Sequence, residues 1–345
     1  MMIRVKPANS PLKSISEESE ERQLSKNVEK ASDMYDPLTK FLKLCGSYSS
    51  RSIKTGKLMY SGHFVYCLVI QLIVLVTCLK YFNVFRSNSN PVYKTTGLIG
   101  FLYFYVTVIV FSIVCFYSNF RFLAPFYTEV DRYGAKHGID LDISKIRKML
   151  SRIVGGISTF LVISVLGGTV WMIYYIKGKN LLITSSLTPF DEEEGIVLII
   201  AGLVMGVCTL FYHLIFHSNI LFLLTNVHIL KHEFQHVRKK ILNIINNNQL
   251  ENIEHLRLQH EHITHLVETG NQMFRHVAGI TYAYGIPIVC LMLYGMMTKS
   301  LDIADLIPMA TALALSVIGM FIITFSGANL NEAVSFDVYQ YMSSL

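Results

Sequence analysis

The sequence predicts an all-α polytopic membrane protein, a helical bundle with six transmembrane helices. Apolar runs of helix length recur along the whole chain, they are nearly free of charge, and basic residues are concentrated in alternate segments between them. Each run is close to the roughly 20 residues that a helix needs to cross about 30 Å of hydrocarbon. The six runs cover approximately residues 62–82, 97–119, 154–176, 195–217, 277–298 and 306–327.

Lysine and arginine indicate how the bundle is oriented. Of the 30 Lys and Arg residues, 24 lie before the first run and in alternate gaps after it, and 5 lie in the remaining gaps. Because cytoplasmic loops carry the excess of Lys and Arg, the N-terminus is predicted to be cytoplasmic. After six crossings the C-terminal segment, residues 328–345, is cytoplasmic as well. We expect a multi-pass protein of the plasma membrane.

Composition supports this class. Hydrophobic residues make up 52% of the chain and the mean hydropathy is +0.43, values typical of an integral membrane protein. The net charge of +6 then reflects cytoplasmic loops. We therefore expect contact with membrane lipids and no nucleic-acid partner.

The polar segments between the runs also carry helical patterns. Residues 1–37 are expected to be a disordered cytoplasmic segment, and residues 38–44 a short amphipathic helix near the membrane. Residues 120–153 are predicted to extend the second and third crossings as helices, with a break near Gly134 and Gly138. Residues 218–276 are predicted to form a long cytoplasmic helical hairpin between the fourth and fifth crossings.

The predicted hairpin carries an apolar stripe that has to be buried. Its positions recur at helical spacing on both arms: Leu221, Leu224, His228, Phe234, Val237, Ile253, Leu256, Ile263, Leu266, Val267 and Phe274. The spacing indicates one packed face along each helix. A contact between subunits is the favoured way to bury it, and packing against the chain's own loops is the alternative.

One motif within the hairpin suggests metal chemistry. Residues 232–236 read His-Glu-Phe-Gln-His, and H-E-x-x-H on a helix places two imidazoles one turn apart to bind zinc, with the Glu as general base. Glu251 or Glu254 is a candidate third ligand. However, eight of the twelve histidines lie in this hairpin, so a chance match on a solvated His-rich face is favoured. We expect no enzyme, cofactor or metal, and keep an integral membrane zinc metalloprotease as the alternative.

A second short motif points to a different receptor class. Asp131-Arg132-Tyr133 copies the D-R-Y tripeptide of seven-helix G-protein-coupled receptors. Here it follows the second crossing rather than the third, and the predicted N-terminus is on the opposite side of the membrane. A G-protein-coupled receptor therefore remains a second alternative.

Two segments near the fifth and sixth crossings resemble arthropod gustatory receptors, which belong to the insect chemoreceptor superfamily. The stretch from Leu256 to Phe274 resembles a pattern of that family, L-x-x-x-H-x-x-[LI]-x-x-L-[LV]-x-x-x-N-x-x-F. The segment Ala-Asn-Leu-Asn-Glu-Ala at 328–333, followed by Tyr-Met-Ser-Ser-Leu at 341–345, is similar to the family's segment after the sixth helix.

This resemblance implies a ligand-gated cation channel subunit that assembles as a homo- or hetero-tetramer with other receptor subunits. It also implies a ligand pocket in the outer half of the bundle, an intersubunit anchor formed by the cytoplasmic helices, and a seventh helix that lines the pore. The sequence shows no seventh run and no T-Y-x-x-x-x-x-Q-F signature, so we expect this polypeptide to be non-conducting by itself.

The ligand expected from the resemblance is a small organic tastant, such as a sugar or plant metabolite. Aromatic rings and hydroxyls near the outer ends of the crossings are suited to pack against and orient such a molecule. The candidate ligand-binding residues are Tyr103, Tyr105, Trp171, Tyr174, Tyr294 and Thr311. An interfacial belt of aromatic residues is the alternative, particularly for Tyr174.

Overall fold

Long helices dominate the fold. The computed structural model describes residues 30–49, 51–54, 57–60, 62–80, 91–176, 196–246, 253–297 and 303–342. Its elements in chain order are a 3-10 helix Ala31–Tyr35, α1 Asp36–Leu44, β1 Arg51–Lys54, β2 Lys57–Tyr60, α2 Gly62–Lys80, α3 Pro91–His137, α4 Ile143–Ile176, α5 Ile196–Asn246, α6 Ile253–Met297 and α7 Ile303–Met342. Six helices within these ranges are long and apolar enough to cross a membrane, which confirms a multi-pass helical architecture.

Helices α3, α5, α6 and α7 are each far longer than one crossing. Helices α3, α5 and α6 contain 47, 51 and 45 residues, about twice the length that hydrocarbon requires. The helices therefore continue past the ends of the apolar runs, as the spacing of apolar residues over 120–153 and 218–276 predicts. Helix α3 continues through Gly134, where a break was predicted, and ends at His137. The next residue, Gly138, has a φ of 73° in the left-handed region.

The outer surface of the bundle is apolar. Large hydrophobic side chains are exposed on α2, α4, α5 and α7, among them Leu72, Phe160, Ile163, Ile200, Val204, Phe321 and Phe325. A continuous apolar exterior is unfavourable in water, whereas hydrocarbon solvates it well. These faces are the expected lipid-contacting surface of a membrane protein.

The N-terminal segment contributes to the core, which corrects the expectation of disorder up to residue 37. Met34, Tyr35 and Leu38 are almost completely buried. Their helical spacing places them on one face, which packs against α3, α4 and α5. The predicted amphipathic helix 38–44 is observed as the longer α1, and it is inserted between the long helices. Residues 1–29 lie outside the described residues.

Helix α1 ends in a tight turn that directs the chain towards α2. Ser47 N donates to Leu42 O at 2.9 Å, and Gly46 N donates to Lys43 O at 3.1 Å. This pair of bonds is a Schellman motif, and Gly46 has the positive φ of 71° that the motif requires. The preceding residue, Cys45, is buried, and burial raises the pKa of its thiol to about 12, so the thiol stays protonated and unreactive.

A short β-hairpin follows within an otherwise helical fold. Strands β1 and β2 pair antiparallel, with Arg51 opposite Tyr60 and Lys54 opposite Lys57. The sequence offers only a weak signal for them, a Thr-Gly dipeptide at positions 55 and 56 between two short segments. Two strands of four residues each leave the fold overwhelmingly helical.

The larger of the two hydrophobic cores lies beyond the predicted membrane runs. It joins the N-terminal segment to α3, α4, α5 and α6 through Tyr35, Leu38, Phe126, Tyr133, Leu150, Phe222, Phe234 and Ile263. Much of the apolar stripe on α5 and α6 is therefore covered by the chain's own helices. The expectation that a second subunit buries this stripe is wrong for Phe234, Val237 and Ile263, which are fully buried within one chain.

Candidate functional site

The structure describes two of the six predicted ligand-binding side chains. Tyr105 is half-buried and packs against a core cluster inside the bundle. Tyr294 lies on the outer surface of α6 with 56% of its side chain exposed, so it is poorly placed for an interior pocket. The side chains of the remaining four, Tyr103, Trp171, Tyr174 and Thr311, lie outside the described residues, although their backbones are helical.

A small cavity, here called the bundle cavity, lies one helical turn or less beyond Tyr105 along α3. Its volume is about 40 Å³, and it is enclosed by α3, α5, α6 and α7. Its polar and aromatic lining consists of Thr107, Phe111, Tyr212, Phe216, Thr281 and Ser316. This volume holds only one or two water molecules, so a larger ligand requires the rings to move apart.

Sequence reasoning missed these six residues because it weighed only the outer ends of the crossings. The signal that was present is the combination of hydroxyl and aromatic side chains in four different apolar runs, between their middle and the ends predicted to be cytoplasmic. Whether such a residue faces the interior or lipid depends on how the helices are rotated. That rotation is fixed by packing between helices and not by the sequence of one helix.

A second and much larger cavity lies at the end of the bundle that is predicted to be cytoplasmic. We call it the α5–α7 cavity, because α5, α6 and α7 form its walls, and its volume is about 370 Å³. Most of its lining is apolar, including Leu223, Leu230, Phe274, Ile323 and Leu330. It shares no lining residue with the bundle cavity.

The Glu of the H-E-x-x-H motif points into the protein core. Glu233 is only 3% exposed, and its Oε2 accepts a hydrogen bond from the Tyr133 hydroxyl at 3.0 Å. Gln259 Nε2 in turn donates to the Tyr133 oxygen at 2.9 Å. These three side chains connect α3, α5 and α6 across the larger core. In a zinc protease with this motif, the Glu is the general base. In this chain, Glu233 is instead hydrogen-bonded to Tyr133 inside the core.

The motif's second histidine, His236, and the candidate third ligand Glu254 have different partners. His236 Nδ1 lies 3.0 Å from Asp140 Oδ2, while Glu254, a candidate third ligand, pairs with Arg257 at 2.7 Å. Among the residues that the structure describes, no three His, Cys, Asp or Glu side chains form a group suited to a metal ion. Glu251, the other candidate ligand, lies outside those residues.

The three residues of the D-R-Y tripeptide each contact a different part of the chain. Asp131 accepts hydrogen bonds from Ser32 N and Ser32 Oγ at 2.8 and 3.1 Å, and so attaches the N-terminal segment to α3. Arg132 pairs with Glu129 on the surface at 2.6 Å. Tyr133 belongs to the buried network with Glu233. Asp131 and Tyr133 therefore hold parts of the fold together, whereas Arg132 makes a surface ion pair.

A third polar cluster lies where the N-terminal segment meets the bundle. Asn119 Nδ2 donates to Ser47 O and Oγ and to Asn219 Oδ1, at 3.1, 3.0 and 2.9 Å. Asn219 Nδ2 donates to Ser47 Oγ at 3.0 Å. All three residues are buried, so the bonds satisfy groups that have no access to water.

The six long helices and their apolar exterior define the class of this protein, a multi-pass helical membrane protein. Comparison of the chain with models of protein families, with curated proteins and with solved structures finds no match.

Proposed function

We propose that the chain is a gustatory-receptor-like chemoreceptor, a ligand-gated cation channel subunit of the plasma membrane. Its ligand is a small uncharged organic tastant such as a sugar or plant metabolite. One observation carries the proposal. The two segments that resemble the family are far apart in sequence, yet Asn271 and Phe274 of the first and Leu330 and Asn331 of the second line the same cavity. The two segments that resemble the family therefore lie next to each other in space. This proximity supports the inference that both resemblances reflect one family relationship.

The continuity of the helices suggests how a ligand signal travels. Helix α6 carries Thr281 and Gly285 in the bundle cavity and Phe274 in the α5–α7 cavity, without a break in the helix. Helix α5 similarly connects Tyr212 to the larger core through Phe222. A ligand that separates the rings of the bundle cavity displaces rigid helices, and packed helices transmit such a displacement over their length.

Replacement of Tyr105 tests the proposed ligand site. Cells expressing the chain with partner receptor subunits are exposed to a panel of sugars and uncharged plant metabolites, and cation current is recorded. Tyr105 packs against the cluster that contains the cavity-lining residues Phe111 and Phe216, so it supports the wall of the cavity. Loss of its ring in Tyr105→Ala is expected to move the half-maximal concentration about tenfold upward at unchanged surface expression, equivalent to about 1.4 kcal/mol. Tyr294→Ala is the matched control and should leave the curve in place because Tyr294 is exposed on the bundle exterior.

Two results would overturn the proposal. One is the absence of ligand-evoked current for the whole panel in every subunit combination. The other is stoichiometric zinc in the purified protein that is lost in His232→Ala, together with a peptidase activity that is lost in Glu233→Gln. The second result establishes the metalloprotease in place of the receptor.

A further inference from the structure

The α5–α7 cavity has the size and the lining of a small-molecule site. Binding pockets in proteins span about 300 to 1,000 Å³ and combine apolar walls with a few polar groups. At about 370 Å³ the cavity falls within this range, and side chains such as Leu223, Val227 and Phe274 form most of its surface. The charged residues Glu268 and Arg275 also line it and are largely exposed, so they form its rim.

One buried polar group in this lining is unsatisfied. Asn226 is only 2% exposed and lines the cavity, yet neither its Nδ2 nor its Oδ1 has a hydrogen-bond partner among the residues that the structure describes. A buried amide without partners is energetically unfavourable, which is why such groups are rare in folded proteins. Asn219, two turns earlier on the same helix, is fully bonded by comparison.

We propose that the α5–α7 cavity binds an uncharged, mainly apolar molecule that presents one hydroxyl or carboxamide group to Asn226. The apolar walls favour a hydrocarbon body, because transfer of that body from water is favourable. The Asn226 carboxamide offers one donor group and one acceptor, and a hydroxyl or a carboxamide complements both. A charged head group is disfavoured beside the buried Asn226, because the charged residues among the described lining, Glu268 and Arg275, lie at the rim of the cavity. The site is separate from the tastant site, since the two cavities share no residue.

The site is tested with a photoreactive medium-chain primary alcohol on the full chain in lipid nanodiscs. Its methyl ether serves as the matched probe, because the ether accepts a hydrogen bond but does not donate one. We expect saturable labelling by the alcohol of peptides that contain Leu223–Leu230 of α5 and the facing parts of α6 and α7. The ether should label the same peptides with an affinity about tenfold lower, equal to the loss of one hydrogen bond.

Three variants identify the cavity as the site. Asn226→Leu keeps the branched shape and the number of heavy atoms of the side chain and removes both polar atoms, so it should weaken alcohol binding about tenfold and abolish the preference over the ether. Gly327→Leu projects a side chain from the cavity wall, where nothing lies within 4 Å of an added Cβ, and should abolish saturable labelling. Gly279→Leu is the control, because Gly279 is equally unobstructed and lies outside the lining.

The outcomes are distinct. Labelling that does not saturate, or that is the same in Asn226→Leu and Gly327→Leu as in the unmodified chain, contradicts the proposal and indicates simple partitioning into lipid. Equal affinity for the alcohol and the ether also contradicts it. Thermal unfolding of each variant shows whether it is folded, and Asn226→Leu provides the test if Gly327→Leu does not fold. Failure of this labelling test leaves the receptor proposal intact. The receptor proposal concerns the bundle cavity, and it is tested by recording ligand-evoked cation current.

Discussion

Two buried asparagines on α5 differ in their hydrogen bonding, and therefore in their effect on stability. Asn219 exchanges hydrogen bonds with Asn119 and Ser47 and donates to Ile215 O at 2.7 Å. Asn226 lies two helical turns further on and is without a described partner. The same residue type therefore stabilises the unliganded protein at one position and destabilises it at the other.

Replacement of each asparagine by leucine should change stability in opposite directions. Asn219→Leu removes the acceptor of Asn119 and a donor to Ser47, and should lower the free energy of unfolding by about 1–3 kcal/mol. Asn226→Leu removes an unpaired buried amide and should raise it by a similar amount when no ligand is added. The measurement is thermal unfolding of the purified variants under identical conditions. A decrease of similar size for both variants would show that Asn226 has a partner after all.

At the scale of elements, the end of α1 decides how the N-terminal segment enters the bundle. Gly46 combines two constraints, a left-handed backbone and a close approach to α2. A Cβ added at Gly46 would lie 2.7 Å from Ile70 Cβ, a distance that real Cβ atoms essentially never show. Gly138, at the end of α3, has an equivalent φ of 73° but open space around it.

This pair separates backbone strain from steric overlap. Gly138→Ala should lower the free energy of unfolding by about 1 kcal/mol, the cost of a left-handed conformation for a residue with a Cβ. Gly46→Ala adds overpacking against Ile70 and should cost about 1–3 kcal/mol more. Thermal unfolding of both variants measures the difference. An equal decrease in the free energy of unfolding for the two variants would mean that α1 and α2 move apart easily at this contact.

For the whole molecule, the charge distribution predicts an orientation that labelling can check. In a background without the six native cysteines, Ser186→Cys lies in the predicted outer gap 177–194 and Asn247→Cys lies between α5 and α6. A membrane-impermeant maleimide should label Ser186→Cys on intact cells, and should label Asn247→Cys only after permeabilisation. The reverse pattern would invert the bundle and move the α5–α7 cavity to the outer side.

Much of the architecture was predictable from the chain alone. Helix length and apolar character predict six crossings, and the spacing of Phe234, Val237, Ile263 and Leu266 predicts that α5 and α6 continue past the membrane with one packed face. These features are local, since each depends on residues within a few turns of the same helix. The α1 helix was predicted for the same reason at residues 38–44, and in the structure it begins two residues earlier, at Asp36.

The partners of these faces were decided only by the tertiary structure. The polar composition of residues 31–37 suggests disorder, yet Met34 and Tyr35 fill a space that α3, α4 and α5 leave open, and burial of those side chains outweighs the composition. The cavities are likewise made by several helices, and the unpaired state of Asn226 depends on what faces it from α6 and α7. The sequence by itself determines which residues avoid water and with what period, because that depends on local chemistry. Which surfaces meet, and which polar group is left without a partner, depends on how the helices are rotated and packed, and only the assembled bundle fixes that.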